Sequence, residues 1–244
     1  MICRNSSDVL LITGCITPYK DVHMLVLTDS IERRKQYIDS IKFYITHSKI
    51  KRIIYCDNSA AKSEEELFDL ADSKGKKFEW ISFSGESERI LKQGKGYGES
   101  EIIRYALEHS ELITEDDYLI KVTGRLIVRN INFLLKMSNR KSILVAPNRI
   151  RDGRFYVNTR LYMMPIKLYK KYFLNLENMV NDSDNIYLEH AFAMCIREAN
   201  LKYKKLYIAP WIEGVSGSTG RLYKPSLHSY MRECVKLWLY KEGR

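Results

Sequence analysis

The sequence predicts an α/β fold, a mainly parallel sheet flanked by helices, and three observations predict it. Short β-rich apolar runs alternate with helical segments in a β-α-β-α-β-α-β order through residue 128, and parallel strands need such crossover helices. Turn residues close the runs, as at Thr17-Pro18 and Asp57-Asn58-Ser59. No linker-like stretch interrupts the 244 residues, and a chain of that length buries roughly 70 % of its unfolded surface without disulfide or metal staples.

Asp8–Ile16 (DVLLITGCI) reads as the first strand, and Val22–Leu27 as a second short apolar run. Asp29 or Ser30 can cap a helix from Ile31 to Ser48, whose Ile31, Ile38, Ile41, Tyr44 and Ile45 follow helical spacing. Lys51–Cys56 is a buried-strand candidate. Ser63–Ser73 reads as an acidic helix with Leu67, Phe68, Leu70 and Ala71 inward, and Phe78–Phe83 alternates like a strand. Glu99–His109 is helical, and Tyr118–Val128 is a strand region interrupted by Thr123-Gly124-Arg125. Further on, Ile143–Pro147, Tyr156–Met163 (beside a turn at Asp152-Gly153) and Leu206–Pro210 read as strands; Lys167–Val180 and Ile186–Ala199 read as helices. Pro225–Lys241 opens with a proline suited to a first helical turn and sets Leu227, Met231, Cys234, Val235 and Trp238 on one face. The expected organisation is one domain over 1–224, about 1–128 and 129–224 as its halves, with a basic amphipathic helix at 225–244.

The composition sets bounds on function. Lys plus Arg total 40 against 30 Asp plus Glu, a formal charge of +10, so an acidic partner is expected: nucleic acid, an anionic membrane surface or a phosphorylated small molecule. Nine basic and three acidic residues fall after residue 200, so the tail carries 9 − 3 = +6 of that charge. The five cysteines show no metal-ligand spacing, and Cys15 and Cys56 read as core thiols of a reducing compartment. No apolar run approaches a membrane span, and no secretory signal is visible. The expectation is a soluble cytoplasmic protein, or one peripheral on the inner face of the cell membrane.

Ligands of parallel α/β sheets lie at the carboxyl ends of strands, here Thr13–Thr17, Asp57–Ser59, Ser82–Glu86 and Thr123–Arg125. Gly94-Lys95-Gly96-Tyr97-Gly98 precedes a helix and can cradle phosphate on backbone N–H groups, or be a flexible turn. Asp57-Asn58 can bind ribose hydroxyls or a base N–H, or form an Asx turn. The glycine in Thr123-Gly124-Arg125 allows close approach and the arginine can pair with phosphate; a β-bulge is the alternative. Asp182-Ser183-Asp184 is a literal DxD that can hold a divalent cation or cap the helix after it. Glu189-His190 sits in an otherwise apolar helix, so Glu189 faces either a polar cleft, as a general base, or solvent. Gly214–Gly220 is a small-residue loop able to close over a ligand or to connect on the surface.

Taken together, the DNS strand end, GKGYGE before a helix, KVTGR in the fourth strand, IYLEH and IEGVSG resemble bacterial glycosyltransferases of the GT-A type, the enzymes of capsule, O-antigen and exopolysaccharide synthesis. The resemblance runs from Asp8 to about Tyr223. It implies a Rossmann-like GT-A fold whose first half binds a nucleotide sugar, UDP-linked, and whose second half binds a glycan or lipid-linked glycan acceptor. Thr13, Gly14, Asp57 and Asn58 would match the nucleoside-binding strand ends. Arg33 or Arg34, Lys95 with Gly96, Lys121, and Thr123 with Gly124 would face the donor. Glu189 would be the base, Arg125 would stabilise the leaving diphosphate, and Ser216 and Gly217 would belong to the closing loop.

Such enzymes usually hold Mn2+ or Mg2+ on a DxD where this chain has KVTGR, which contains no acid, so no metal ligand is assigned and positive side chains are expected to neutralise the diphosphate. Inversion is the expected course, with retention left open. Two alternatives belong to other classes: a metal-dependent sugar-phosphate nucleotidyltransferase, and a non-enzymatic basic module for polyanions or membranes. No nucleic acid is expected, because no RNP-type or helix-turn-helix pattern occurs.

Overall fold

The structure is a computed structural model that describes residues 8–19, 21–22, 26–149, 155–216 and 220–240. Its first half alternates as expected: β1 (Asp8–Gly14), α1 (Ser30–His47), β2 (Arg52–Asp57), α2 (Glu65–Ser73), β3 (Lys77–Ser82), α3 (Ser87–Gln93), α4 (Lys95–His109), β4 (Tyr118–Thr123) and β5 (Leu126–Val128). The second half adds α5 (Ile131–Met137), β6 (Ile143–Val145), β7 (Pro147–Arg149), β8 (Phe155–Val157), β9 (Leu161–Pro165), α6 (Ile166–Tyr172), α7 (Leu188–Glu198), β10 (Tyr203–Lys205), β11 (Ile212–Val215), β12 (Leu222–Tyr223) and α8 (Leu227–Leu239).

Seven strands form the main sheet in the order β10-β6-β9-β4-β1-β2-β3. β4, β1, β2 and β3 are mutually parallel and β9 runs antiparallel between β4 and β6, so both halves share one sheet. β1 is buried on both faces, as parallel central strands are. Leu10 and Ile12 pack with Tyr37, Ile41 and Tyr44 of α1; Val9 and Leu11 pack with Ile102, Ile103 and Ala106 of α4 and Phe192 of α7. α1 starts where Asp29 accepts from the Ile31 and Glu32 amides at 2.8 and 3.0 Å, which satisfies donors that the first turn leaves open.

Several boundaries differ from expectation, each where a tertiary contact intervenes. β1 stops at Gly14 rather than Ile16, because the Cys15 amide donates to the Tyr37 hydroxyl (3.1 Å) and the Ile16 amide to Asp57 (2.8 Å). The 22–27 run is not a strand where it is described: Val22 packs on Ile90 and Tyr97, and 23–25 lie outside the described residues. The 156–163 strand divides at a turn in which Asn158 accepts from the Arg160 amide at 3.1 Å; the 152–153 turn lies outside the described residues. The 167–180 helix ends at Tyr172, and a separate 3-10 turn covers Leu176–Met179. Near the C-terminus the strand is Tyr203–Lys205 instead of Leu206–Pro210, since Asn130 takes the Ala209 carbonyl at 3.0 Å.

The region 118–128 also divides, at Gly124. The Gly124 amide donates to the Thr13 carbonyl at 2.9 Å, and the chain then leaves the main sheet so that β5 can pair with β11. The glycine is thus the exit between two sheets, not a bulge. A Cβ there would sit 2.2 Å from the Thr13 carbonyl oxygen. Gly124→Ala is therefore expected to cost about 3 kcal/mol, the upper end for overpacking. That corresponds to a drop of roughly 6–12 °C in Tm for a chain of this size; an unchanged thermal transition would show that the strand ends part freely.

The C-terminal helix docks through only part of its apolar arc, with Cys234 packed against the core. Tyr230 stacks on Trp211 (ring centroids 4.6 Å apart) and accepts from Asn130 at 3.1 Å, and Leu237 is buried. Lys205 donates to the Tyr240 carbonyl at 2.6 Å, placing a cation at the helix's negative end. Leu227, Met231, Val235 and Trp238 instead face outward, 52–78 % exposed. Among the described residues no helix is long and apolar enough to cross a membrane.

Candidate active site

The strand order reverses at β1, with β2 on one side and β4 on the other, and crevices open at the carboxyl ends of strands where this happens. A cleft of about 430 Å³ lies there. Of the residues singled out in the sequence, Thr13, Gly14, Arg33, Asn58, Lys95, Thr123, Arg125, Glu189 and Ser216 line it; Asp57, Gly96, Lys121 and Gly124 do not. Gly217 lies outside the described residues.

The four misplaced residues have structural work. Asp57 is fully buried. One of its oxygens accepts from the Ile16 amide (2.8 Å) and the Tyr55 hydroxyl (3.0 Å), the other from the Ser59 amide (2.8 Å) and hydroxyl (2.6 Å). It ties the β1 and β2 ends together by the Asx-turn chemistry open to it. Lys121 is also fully buried: its ammonium pairs with Glu99 and donates to the Thr123 hydroxyl (3.1 Å) and the Thr159 carbonyl (2.8 Å). Gly124 holds the strand exit described above.

Gly96 belongs to a region read as a loop that is instead the first turn of α4. The Gly96 amide donates to Asp182 at 3.2 Å, and a Cβ on Gly96 would meet Val180 at 2.9 Å. Glycine here allows close packing, and a carboxylate already occupies the anion-favouring helix N-terminus. Asp182 therefore caps α4 and does not cap the helix that follows it. Asp184 accepts from the Asn181 amide group at 2.8 Å.

The cleft floor contains a residue that sequence reading missed. Glu99 lines the cleft, and one of its oxygens accepts from Thr13 (3.3 Å), Thr123 (3.0 Å) and Lys121. Burial pushes the Glu99 carboxyl up, but the Lys121 charge and the bonds from Lys121 and Thr123 outweigh it and hold it below its ordinary range. The available signal was the spacing from Lys95: a helix starting there places Lys95 and Glu99 on one face.

The wall beside Tyr37 is positive. Arg33 and Arg125 are both buried, and neither has a carboxylate partner among the described residues. Arg33 donates to the carbonyls of Cys15 (2.8 Å) and Leu27 (2.9 Å) and to the Tyr37 hydroxyl (3.2 Å), so it braces the loop after β1 while leaving its charge uncancelled. Arg34 turns away to Glu64 at 2.6 Å. Arg125 donates to Gln36 at 3.3 Å, and burial followed by the repulsion of Arg33 lowers its guanidinium from the usual value, against the opposing effect of Tyr37. Cys15 lines this wall instead of the core; burial pushes its thiol up to about 12, the direction that disfavours a thiolate.

Glu189, in the first turn of α7, faces this polar cleft and not solvent; the Thr159 hydroxyl donates to it at 3.0 Å. Ser216 closes another side, its amide donating to the Arg221 carbonyl at 2.9 Å and its carbonyl accepting from the Gly220 amide at 3.0 Å. At the end of β4, Lys121–Arg125 contain no acid, and the carboxylate that reaches there, Glu99, is held by Lys121 and two threonines. Among the described residues no three His, Cys, Asp or Glu side chains converge. This donor set fits an anion, not a divalent cation.

The mixed α/β sheet, with its cleft at the β1/β4 switch point, is a GT-A-like, Rossmann-like architecture. Among solved structures, the chain is similar to the apo form of the glycosyltransferase GlyE of Streptococcus pneumoniae TIGR4: TM-score 0.51, 12 % identity, 83 % of this chain and 45 % of that one. It also matches the galactosyltransferase LgtC in complex with donor and acceptor sugar analogues, at TM-score 0.41 and 12 % identity over 81 % of this chain and 66 % of that one. A third match is the 2-C-methyl-D-erythritol 4-phosphate cytidylyltransferase IspD of Francisella tularensis, at TM-score 0.45 and 11 % identity over 82 % and 89 %. The chain spans less than half the length of GlyE. No family model matches it, and no curated protein matches it.

Proposed function

We propose that this chain is a glycosyltransferase that moves a hexosyl group from a UDP-linked sugar to a glycan or lipid-linked glycan acceptor, with inversion, in bacterial surface polysaccharide synthesis such as that of capsule or lipopolysaccharide. One observation carries the reading: two buried guanidinium groups, Arg33 and Arg125, face the switch-point cleft, and among the described residues no carboxylate is ion-paired with either. Buried charge of this kind calls for a counter-charge, and a diphosphate supplies it. Pro18, Tyr19, Val22 and Ile90 offer an apolar wall for a base in the same cleft.

In this mechanism the Glu189 carboxylate takes the proton from an acceptor hydroxyl. The hydroxyl oxygen attacks the anomeric carbon as the bond to the diphosphate oxygen breaks, and the leaving diphosphate keeps the electron pair. Arg125 and Lys95, with the field of Arg33 behind them, stabilise the charge that develops on it. The outward apolar stripe of α8, bordered by Arg232 and Lys236, supports peripheral attachment to an anionic membrane carrying the acceptor. The nucleotidyltransferase alternative would need Asp182 and Asp184 as a cation-holding pair, and the bond from the Gly96 amide to Asp182 weighs against it.

Incubation with a panel of nucleotide sugars and acceptor glycans is expected to release a nucleoside diphosphate, and a panel that yields none would sink the reading. Arg125→Ala is expected to weaken UDP binding by about 10- to 100-fold, the loss of a charge-assisted contact. Unchanged affinity by calorimetry would remove the guanidinium pair from the donor site.

A further inference from the structure

Asn58 carries a buried acceptor that no protein group satisfies. The residue lines the switch-point cleft and is only 3 % exposed, and among the described residues its Oδ1 has no hydrogen-bond partner. Buried acceptors are nearly always paired, so an unmet one beside a cleft calls for a donor from a ligand. Its position suits a nucleobase. A Cβ on Gly98 would meet both the Asn58 amide nitrogen (3.2 Å) and Ile90 (3.6 Å), so Asn58 stands at the Ile90 end of the apolar wall assigned above to the base.

The orientation of the Asn58 amide is set by Glu101. The Asn58 nitrogen donates to Glu101 Oε2 at 3.3 Å, and the Glu86 backbone amide donates to Glu101 Oε1 at 2.8 Å. A carboxylate only accepts, so the Asn58 nitrogen faces Glu101 and its oxygen faces away. The backbone is pinned as well: the Asn58 amide donates to the Gly14 carbonyl at 3.3 Å, and its carbonyl accepts from the Gly85 amide at 3.0 Å. Gly85 permits the close approach, since a Cβ there would sit 2.7 Å from Glu101 Oε2 and 3.1 Å from the Asn58 nitrogen. Burial raises the Glu101 carboxyl, and the bonds from Glu86 and Asn58 oppose that rise; they favour the charged, accepting form.

We propose that Glu101 is a positioning residue for base selectivity: it holds the Asn58 oxygen toward the base, so that the site takes a base presenting an imino N–H and rejects one presenting a ring-nitrogen acceptor. The inference rests on the transferase reading and deepens it, because it gives the donor's base a chemical class. Uracil, through N3–H, and guanine, through N1–H, share this chemistry; cytosine, whose N3 only accepts, does not. The Glu86 amide makes the consequence sharp. Glu101→Gln keeps its oxygen on that donor and turns its NH2 toward Asn58. The Asn58 amide then reverses, and its own NH2 faces the base and matches cytosine N3.

Calorimetric titration with UDP, GDP and CDP tests this in wild type, Glu101→Gln and Asn58→Asp/Glu101→Gln. Wild type is expected to bind UDP or GDP at least about tenfold more tightly than CDP, and the tighter of the two names the base. Glu101→Gln, nearly isosteric, is expected to reverse the order. The double variant is expected to restore it, because a carboxylate at position 58 offers only oxygens and accepts from the new amide. The methylated form of the preferred nucleotide, N3-methyl-UDP or N1-methyl-GDP, lacks the imino proton. It is expected to bind wild type at least about tenfold more weakly than its parent, a reading that needs no variant. An unchanged order in Glu101→Gln, an equal loss of all three nucleotides there, or a methylated nucleotide bound as tightly as its parent overturns the proposal. Failure of wild type to bind any of the three sinks the transferase reading itself, whereas equal binding of all three removes only the role of Glu101.

Discussion

Glu189→Gln is expected to lower kcat by about 10²- to 10⁴-fold, the range that general-base catalysis supplies, while UDP affinity stays within about twofold. The substitution keeps shape and the ability to accept from Thr159, whose hydroxyl donates to the carboxylate at 3.0 Å, and removes the negative charge that takes the proton. Placement makes the expectation specific. Glu189 belongs to the first turn of α7, whose Ala191, Phe192 and Ala193 are buried in the core on one face of the sheet, so the backbone that carries it is fixed. Kinetics and UDP binding must be measured on the same preparation. A variant with wild-type kcat removes Glu189 from the chemistry, and one that also loses UDP places it in donor binding.

That Glu189 faces a cleft was half legible from its position in an apolar helix; that Thr159 would hold it was not, because Thr159 lies in a turn that splits what reads as one strand. The same division runs through the molecule. β1, α1 with its Asp29 cap, β2 and the parallel order through β4 are written in local periodicity and turn chemistry, and the structure has them within a few residues. Gly94–Gly98 reads as a loop because glycine is a poor helix former. From Lys95 on it is helical because Asp182, 86 residues away from Gly96, accepts from the Gly96 amide and the segment before α7 packs against the missing side chains. For α8, spacing showed that the helix is amphipathic but not which part of its apolar arc docks. Trp211 and Asn130 choose Tyr230 for the inside and leave Trp238 outside. Site residues follow this pattern too. Arg125 and Thr123 reach the cleft from the strand end that the sequence marks, whereas Lys121 and Asp57 turn to partners from α4 and from the loop after β1.

Lys121 leads to the largest expected effect on stability. Its ammonium is fully buried behind the cleft and Glu99 supplies the opposite charge. Glu99→Ala strands that ammonium, so it is expected to cost about 3–5 kcal/mol, or roughly 6–20 °C in Tm. The double variant Glu99→Gln/Lys121→Met is expected to recover most of the loss, because replacing both members of a buried pair removes their desolvation cost along with their attraction. The pair also gives acid sensitivity of a definite sign. The Glu99 carboxyl is held below its ordinary value in the folded chain, so at acid pH the unfolded state binds the extra proton first. The pair's stabilisation is therefore complete above the unfolded carboxyl value, about 4.3, and is lost as pH falls through the lower folded value. Thermal unfolding between pH 3 and pH 7 is expected to show the wild type losing more stability toward acid than the double variant does. Parallel curves, or a Glu99→Ala transition at the wild-type temperature, would mean that water rather than Glu99 neutralises Lys121.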